Sequence, residues 1–221
     1  DILATERGDD PYNHSYLNWA NEVYKPTYIT QHTLNLTGGS EVGRYLVSFD
    51  YLDQPGLVKN TEYQRYSYRV NTDLNIGKML KVSSDVTYRH VDRLWPESLG
   101  SVQYDVWSMQ PTSPVRYENG DYRLDKQNRN AISLMDLDVV GEDRYNMDVV
   151  YGQVKADFEP IKDLVFTGMA SLNGSWDRRK IHYKNYKYYN ETGELVTQRN
   201  NPNSVKDSRN NSYQMTLRFL A

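Results

Sequence analysis

The sequence predicts an all-β fold: an antiparallel transmembrane β-barrel, present in part, with about seven strands of a larger closed structure. Three observations predict it. Segments of period-two alternation recur along the 221 residues. The connections between them alternate short and long, as barrel turns do when one rim carries tight turns and the other carries loops. Aromatic residues on the apolar faces sort by height, with Tyr and Trp toward one rim and Phe toward the other.

The first strand pattern is short, residues 30–37, and a possible short helix around 16–24 precedes it. Residues 44–52 follow, with Tyr45, Val47, Phe49 and Tyr51 on one face. The clearest pattern is RYSYRVNTDLNI, residues 65–76. Tyr66, Tyr68, Val70, Leu74 and Ile76 share one face, and Arg65, Arg69, Asn71 and Asp73 the other. Residues 79–90 set Val82, Val86 and Tyr88 against Lys81, Asp85 and Arg89. Residues 148–159, 164–176 and 211–221 complete the set. The glycines Gly152, Gly168 and Gly174 fall on apolar faces, where they fill a soluble core badly. The connections at 38–43, 77–78 and 160–163 are short; 53–62 is of medium length, and 91–147 and 177–210 are long.

With the long-loop rim taken as the top, Tyr51, Tyr66, Tyr68, Tyr88, Trp176 and Tyr213 fall near the top of the apolar face. Phe158, Phe166 and Phe219 fall near the bottom. Two aromatic girdles around a lipid band give this order. The expected arrangement has the apolar face in lipid, with Arg65, Arg69, Asn71, Asp73, Asp85 and Arg89 lining a wet interior. The lumenal arginines are expected to pair with Asp73, with Asp85 or with carboxylates of a plug.

Composition narrows the function classes. Mean hydropathy is -0.81 and no apolar run is long enough for a transmembrane helix, which says nothing against strands. A net charge of -3 gives no electrostatic footprint for nucleic acid, so none is expected as a partner. The absence of cysteine removes disulfides and thiolate sites. Twenty Tyr against four Phe suits surfaces that are half apolar and half wet. The chain opens on DILATERGDD, without an initiator Met or a secretory leader, and its last residues still alternate, so it reads as a portion of something longer.

No catalytic, metal or cofactor pattern stands out. His14, His32, His90 and His182 are scattered. DLDVVGED, residues 136–143, lacks the spacing of a calcium loop and reads as a solvated acidic loop. ENGDY, residues 118–122, is a turn signal; Glu118 and Asp121 would form a glycosidase pair only if a cleft held them. The long loop 91–147 is the expected place for ligand or lid contacts, through Trp95, Tyr104, Trp107, Tyr117 and Tyr122. Two other readings fit parts of the pattern: a soluble extracellular β-sandwich that binds glycans, and a glycoside hydrolase.

Residues 31–71, QHTLNLTGGSEVGRYLVSFDYLDQPGLVKNTEYQRYSYRVN, resemble the SusC/RagA family of TonB-dependent outer-membrane transporters. The resemblance rests on His32, Gly38-Gly39-Ser40, Tyr45, Tyr51-Leu52-Asp53-Gln54, Gly56, Arg65-Tyr66-Ser67, Arg69 and Asn71. Asn18-Trp19 stands where the family often has Asp-Trp, and residues 109–122 and 157–168 are also similar. The resemblance implies a barrel of about 22 strands, of which residues 1–221 are an early part, with the plug and TonB box outside this chain. It implies a non-enzymatic receptor of the bacterial outer membrane that takes up an oligosaccharide, or a peptide. Its partners would be a SusD-like surface lipoprotein lid, TonB and outer-membrane lipid.

Overall fold

A computed structural model describes residues 15–221, together with Arg7, Asp10 and Tyr12. Most of the opening stretch, and His14, lie outside the described residues.

The expected short helix is α1 (Trp19–Val23), capped by Asn18, whose side chain accepts the Asn21 N–H at 3.2 Å. The sheet strands follow: β1 (Thr30–Gly39), β2 (Gly43–Asp53), β3 (Glu62–Ile76) and β4 (Leu80–Pro96). After α2 (Leu99–Ser108) and a 3-10 turn (Ser133–Met135) come β5 (Glu142–Ile161) and β6 (Leu164–Tyr183). A small hairpin, β7 (Tyr186–Tyr189) with β8 (Leu195–Arg199), precedes β9 (Ser204–Leu220). The seven long strands form one antiparallel sheet in the order β1-β2-β3-β4-β5-β6-β9. Neighbours in sequence are neighbours in space, as in an up-and-down barrel wall. Among the described residues, β1 and β9 each pair on one side only.

The register places the apolar residues of all strands on one face. Leu34, Phe49, Tyr68, Tyr88, Val150, Gly174 and Tyr213 form one continuous row. Tyr51, Tyr66 and Trp176 lie one row above, and Phe158 pairs with Phe166 near the tight turns. Tyr66 to Ile76 spans ten steps of strand, about 33 Å at ~3.3 Å per residue. Tilted by the usual 35–45°, that length gives an apolar band roughly 25 Å tall, the height such barrels present to lipid. The residues of this face are largely exposed, Leu172, Met215 and Val154 among them, and no second sheet of the described chain covers them. A soluble sandwich buries this face, so that reading of the sheet is set aside; the chain folds as part of an antiparallel transmembrane barrel.

The turns sort as expected. Connections at 40–42, 77–79 and 162–163 are tight, with Gly77 and Asp163 in the left-handed region at φ +65° and +69°. The connections at 54–61, 97–141 and 184–203 share the other rim. They are not structureless. Together with α1 they build a lobe with its own hydrophobic core, in which Trp19, Val23, Val58, Val102, Met135 and Tyr188 meet. The long excursions are also shorter than the sequence pattern suggested, because β4, β5, β6 and β9 run past the apolar band before the loops begin. Above the band both faces of these strands become mostly polar, as in DRRK (177–180), so the period-two signal fades while the ladder continues.

Candidate functional site

The polar face of the sheet and the rim lobe are the two surfaces that a molecule passing through a closed barrel would meet. On the polar face, cross-strand register decides the pairing. Arg65 donates to Asp50 at 2.9 Å, and Asp50 also accepts from Gln31 and Thr33. The pairing of Arg65 expected with Asp73 or Asp85 is therefore corrected: its ion-pair partner lies on the preceding strand. Arg69 does pair with Asp85, at 2.7 Å, and its Nε donates to Asn71. Asp73 accepts from the Ser83 hydroxyl at 2.6 Å. The Arg89 guanidinium has no hydrogen-bond or ion-pair partner among the described residues, although its backbone lies in the ladder. All six sequence-selected polar residues thus sit on one face, and two of them, Arg69 and Asp85, form a pair.

Higher on the same face is a cluster that the sequence reading did not single out. Arg93 lies 3.8 Å from the Trp95 ring centroid and 5.1 Å from that of Tyr145. Asp143, buried, receives two hydrogen bonds from Arg179, at 2.9 and 2.6 Å, and one from Arg93 at 3.5 Å. This corrects the view of residues 136–143 as a solvated acidic loop. Asp143 starts the pairing of β5 with β6, and Asp136 accepts from Tyr122. Only Asp138 fits the solvated description, with Lys184 against it; that ammonium holds its carboxyl below the usual range. The signal for the cluster was available as Arg93, Trp95 and Tyr145, Asp143 in two odd-numbered pairs. It becomes legible only when β4 and β5 are set in register.

The aromatic residues chosen for ligand or lid contact separate. Tyr122 is 5% exposed, and its hydroxyl donates to Asp136 at 2.8 Å. Burial first, and then Asp136, push the phenol far above its ordinary range. It is a core residue of the lobe, and its ring is not presented at the surface for the ligand or lid contact expected of it. Tyr117 lies half-buried beside Arg123 in the turn that holds ENGDY, with its N–H bonded to the Asp121 carbonyl. Glu118 is exposed on that turn and no cleft surrounds it. Tyr104 and Trp107, by contrast, lie on α2 with Trp107 78% exposed. α2 itself was not foreseen, although Leu99, Val102 and Val106 recur at helical spacing. That spacing buries Val102 and Val106 in the lobe and turns Tyr104 and Trp107 outward.

The lobe is tied together by buried polar groups. Asn130, 1% exposed, donates to the carbonyls of Val115 and Arg123 at 2.8 Å each, and accepts the Ser133 N–H at 3.0 Å. The Trp19 indole donates to the Gln110 carbonyl at 3.0 Å, which joins α1 to the large loop. Ser133 and Tyr188 share a hydroxyl contact of 3.0 Å, which joins the small hairpin to it.

No family model matches the chain. It is 30% identical over 115 residues to the TonB-dependent receptor P26 of Formosa agariphila, covering 52% of this chain and 11% of that protein. It is 32% identical over 92 residues to the TonB-dependent receptor P3 of the same organism, covering 39% of this chain and 9% of that protein. Among solved structures, the RagAB peptide importer in its closed-closed state matches with a TM-score of 0.65 and 21% identity. That match covers 82% of this chain and 21% of the solved one. A second structure, of the RagAB peptide transporter, matches with a TM-score of 0.64 over 77% of this chain and 20% of that one, also at 21% identity. The chain spans about a tenth of the curated relatives' length and a fifth of the solved chains' length. These likenesses support the resemblance drawn from residues 31–71: the chain is SusC/RagA-like, with the fold of part of a TonB-dependent transporter barrel.

Proposed function

We propose that this chain is part of the barrel wall of a TonB-dependent transporter in the bacterial outer membrane, one that imports a bulky polar nutrient, an oligosaccharide or a peptide. The observation that carries it is one sheet with two unlike faces. An exposed apolar band about as tall as a membrane backs onto a polar, ion-paired wall, and the folded loops gather at one rim. Tyr51, Tyr66, Tyr68, Tyr88, Trp176 and Tyr213 serve as the aromatic girdle of the outer leaflet. Arg65, Arg69, Asn71, Asp73, Asp85 and Arg89 line the passage.

At the rim, Tyr104 and Trp107 on α2 meet cargo or a SusD-like surface lipoprotein lid. Their exposure on a helix anchored by a buried core supports that role, because a rigid aromatic pair loses little entropy on stacking. Trp95 contributes through the Arg93 guanidinium stacked on it. TonB acts through parts of the protein outside residues 1–221.

The test is gel mobility of the full-length protein from outer membranes, run with and without boiling. A folded barrel resists detergent at room temperature and migrates faster than its boiled form. A protein that is soluble without detergent and shows no such shift would overturn the proposal.

A further inference from the structure

Above the aromatic girdle the outward face of the sheet is charged, and its charges are unevenly distributed. On β5, β6 and β9, Arg144, Arg178, Lys180 and Arg209 alternate outward with Glu142 and Asp207. Arg178 and Arg209 stand in register one row above Trp176, and Lys180 and Asp207 one row higher. Asp207 is shared among several cations: both its oxygens accept from Arg178, at 3.1 and 2.5 Å, and Arg209 forms a longer ion pair with it at 3.8 Å. The Lys180 ammonium makes no hydrogen bond or ion pair among the described residues, although it stands opposite Asp207 in the ladder. Three cations against one carboxylate leave this corner of β6 and β9 net positive, whereas Asp53, Glu62 and Asp92 make the equivalent rim of β2 to β4 acidic.

Height decides what meets this patch. One row of a tilted strand rises about 5 Å, and the polar layer of a leaflet is roughly 5–8 Å deep beyond the hydrocarbon. A girdle at Trp176 and Tyr213 therefore sets Arg178 and Arg209, one row up, at the depth of lipid headgroups, and Lys180, two rows and about 10 Å up, just above them with a side chain long enough to reach down. We propose that Lys180 and Arg209, beside the Arg178–Asp207 pair, form a docking site for the phosphate headgroup of an anionic outer-leaflet glycolipid. Its acyl chains lie along the apolar band of Leu172, Met215 and Leu217. Guanidinium and ammonium donors complement phosphate, and each such cation near a charged bilayer surface adds attraction. The site rests on the outer-membrane reading above.

The experiment uses the full-length protein in neutral detergent and reads the temperature at which the fast-migrating folded band converts to the slow one. The probes are diphosphoryl lipid A, its dephosphorylated form, and inorganic phosphate. Diphosphoryl lipid A should raise the conversion temperature more than either control. K180Q/R209Q, which leaves the Arg178–Asp207 pair intact, should lose at least half of that rise, and K180R/R209K should keep it. An equal rise in wild type and K180Q/R209Q, or an equal rise with dephosphorylated lipid or inorganic phosphate, overturns the site. Absence of any heat-sensitive band in the untreated protein instead overturns the barrel reading, and the site with it.

Discussion

Asn130 holds three backbone groups of the rim lobe with one side chain: two carbonyls and one N–H. Each buried group left without a partner costs about 1–3 kcal/mol, so Asn130→Ala should destabilise the lobe by roughly 2–4 kcal/mol after partial relaxation. Faster hydrogen exchange across 97–141, with the strand amides unchanged, is the expected readout. Little in the local sequence marks Asn130, because two of its three partners, Val115 and Arg123, face each other across a turn earlier in the loop and only Ser133 is local. The apolar face behaves oppositely. Val154 lies near the middle of the band, and Val154→Arg should cost about 2–4 kcal/mol and reduce assembly into the outer membrane. Asn173→Arg, on the wet face of the adjacent strand, should assemble normally. Equal behaviour of the two variants in a membrane fraction would argue that the face is not in lipid. Which side Val154 takes was readable in advance, because a period of two admits only two faces.

Helix α2 shows how an element carries a titration. Burial pushes the Asp105 carboxyl up, against the pull of Arg129. A folded pKa above the unfolded value, about 3.9, means the proton favours the fold: this contribution is present at low pH and lost as pH rises through the folded pKa. Asp125 in the same lobe has the opposite sign. Burial raises it, but the Arg129 side chain and the backbone donors of Arg129 and Gln127 outweigh that and lower it. Its contribution is present above about pH 4 and lost as pH falls through its folded pKa. The lobe should therefore become easier to proteolyse as pH rises from about 4 through the folded pKa of Asp105, and Asp105→Asn should remove that part of the profile. An unchanged profile would show that Asp105 ionises in the fold at no cost. A lone acid on a helix of ordinary spacing carries no sign of this; it comes from loops that close over α2 from distant parts of the chain. The strands differ, since β3 was legible almost to its ends. β5 and β6 were legible only within the band and were extended by pairing beyond it.

Across the whole molecule, one sheet carries an apolar and a polar face and a folded lobe sits on its rim. Removing the exposed aromatic pair tests whether that lobe meets cargo or a lid. Tyr104→Ala with Trp107→Ala should leave heat-modifiable mobility unchanged and reduce nutrient uptake, or recovery of a co-purifying lipoprotein, several-fold; normal values of both would remove α2 from the passage. The architecture was readable from alternation, loop lengths and the ordering of Tyr, Trp and Phe, because a membrane imposes a height and two faces on every strand alike. The motifs of residues 31–71 pointed to the family for the same reason, being local and contiguous. Ion-pair partners, the Arg93–Asp143–Arg179 cluster, the burial of Tyr122 and the exposure of Trp107 depended on the assembled fold. Strand alternation says which face a side chain takes, but the residue opposite it is set by register, and the core of the lobe by loops far apart in sequence.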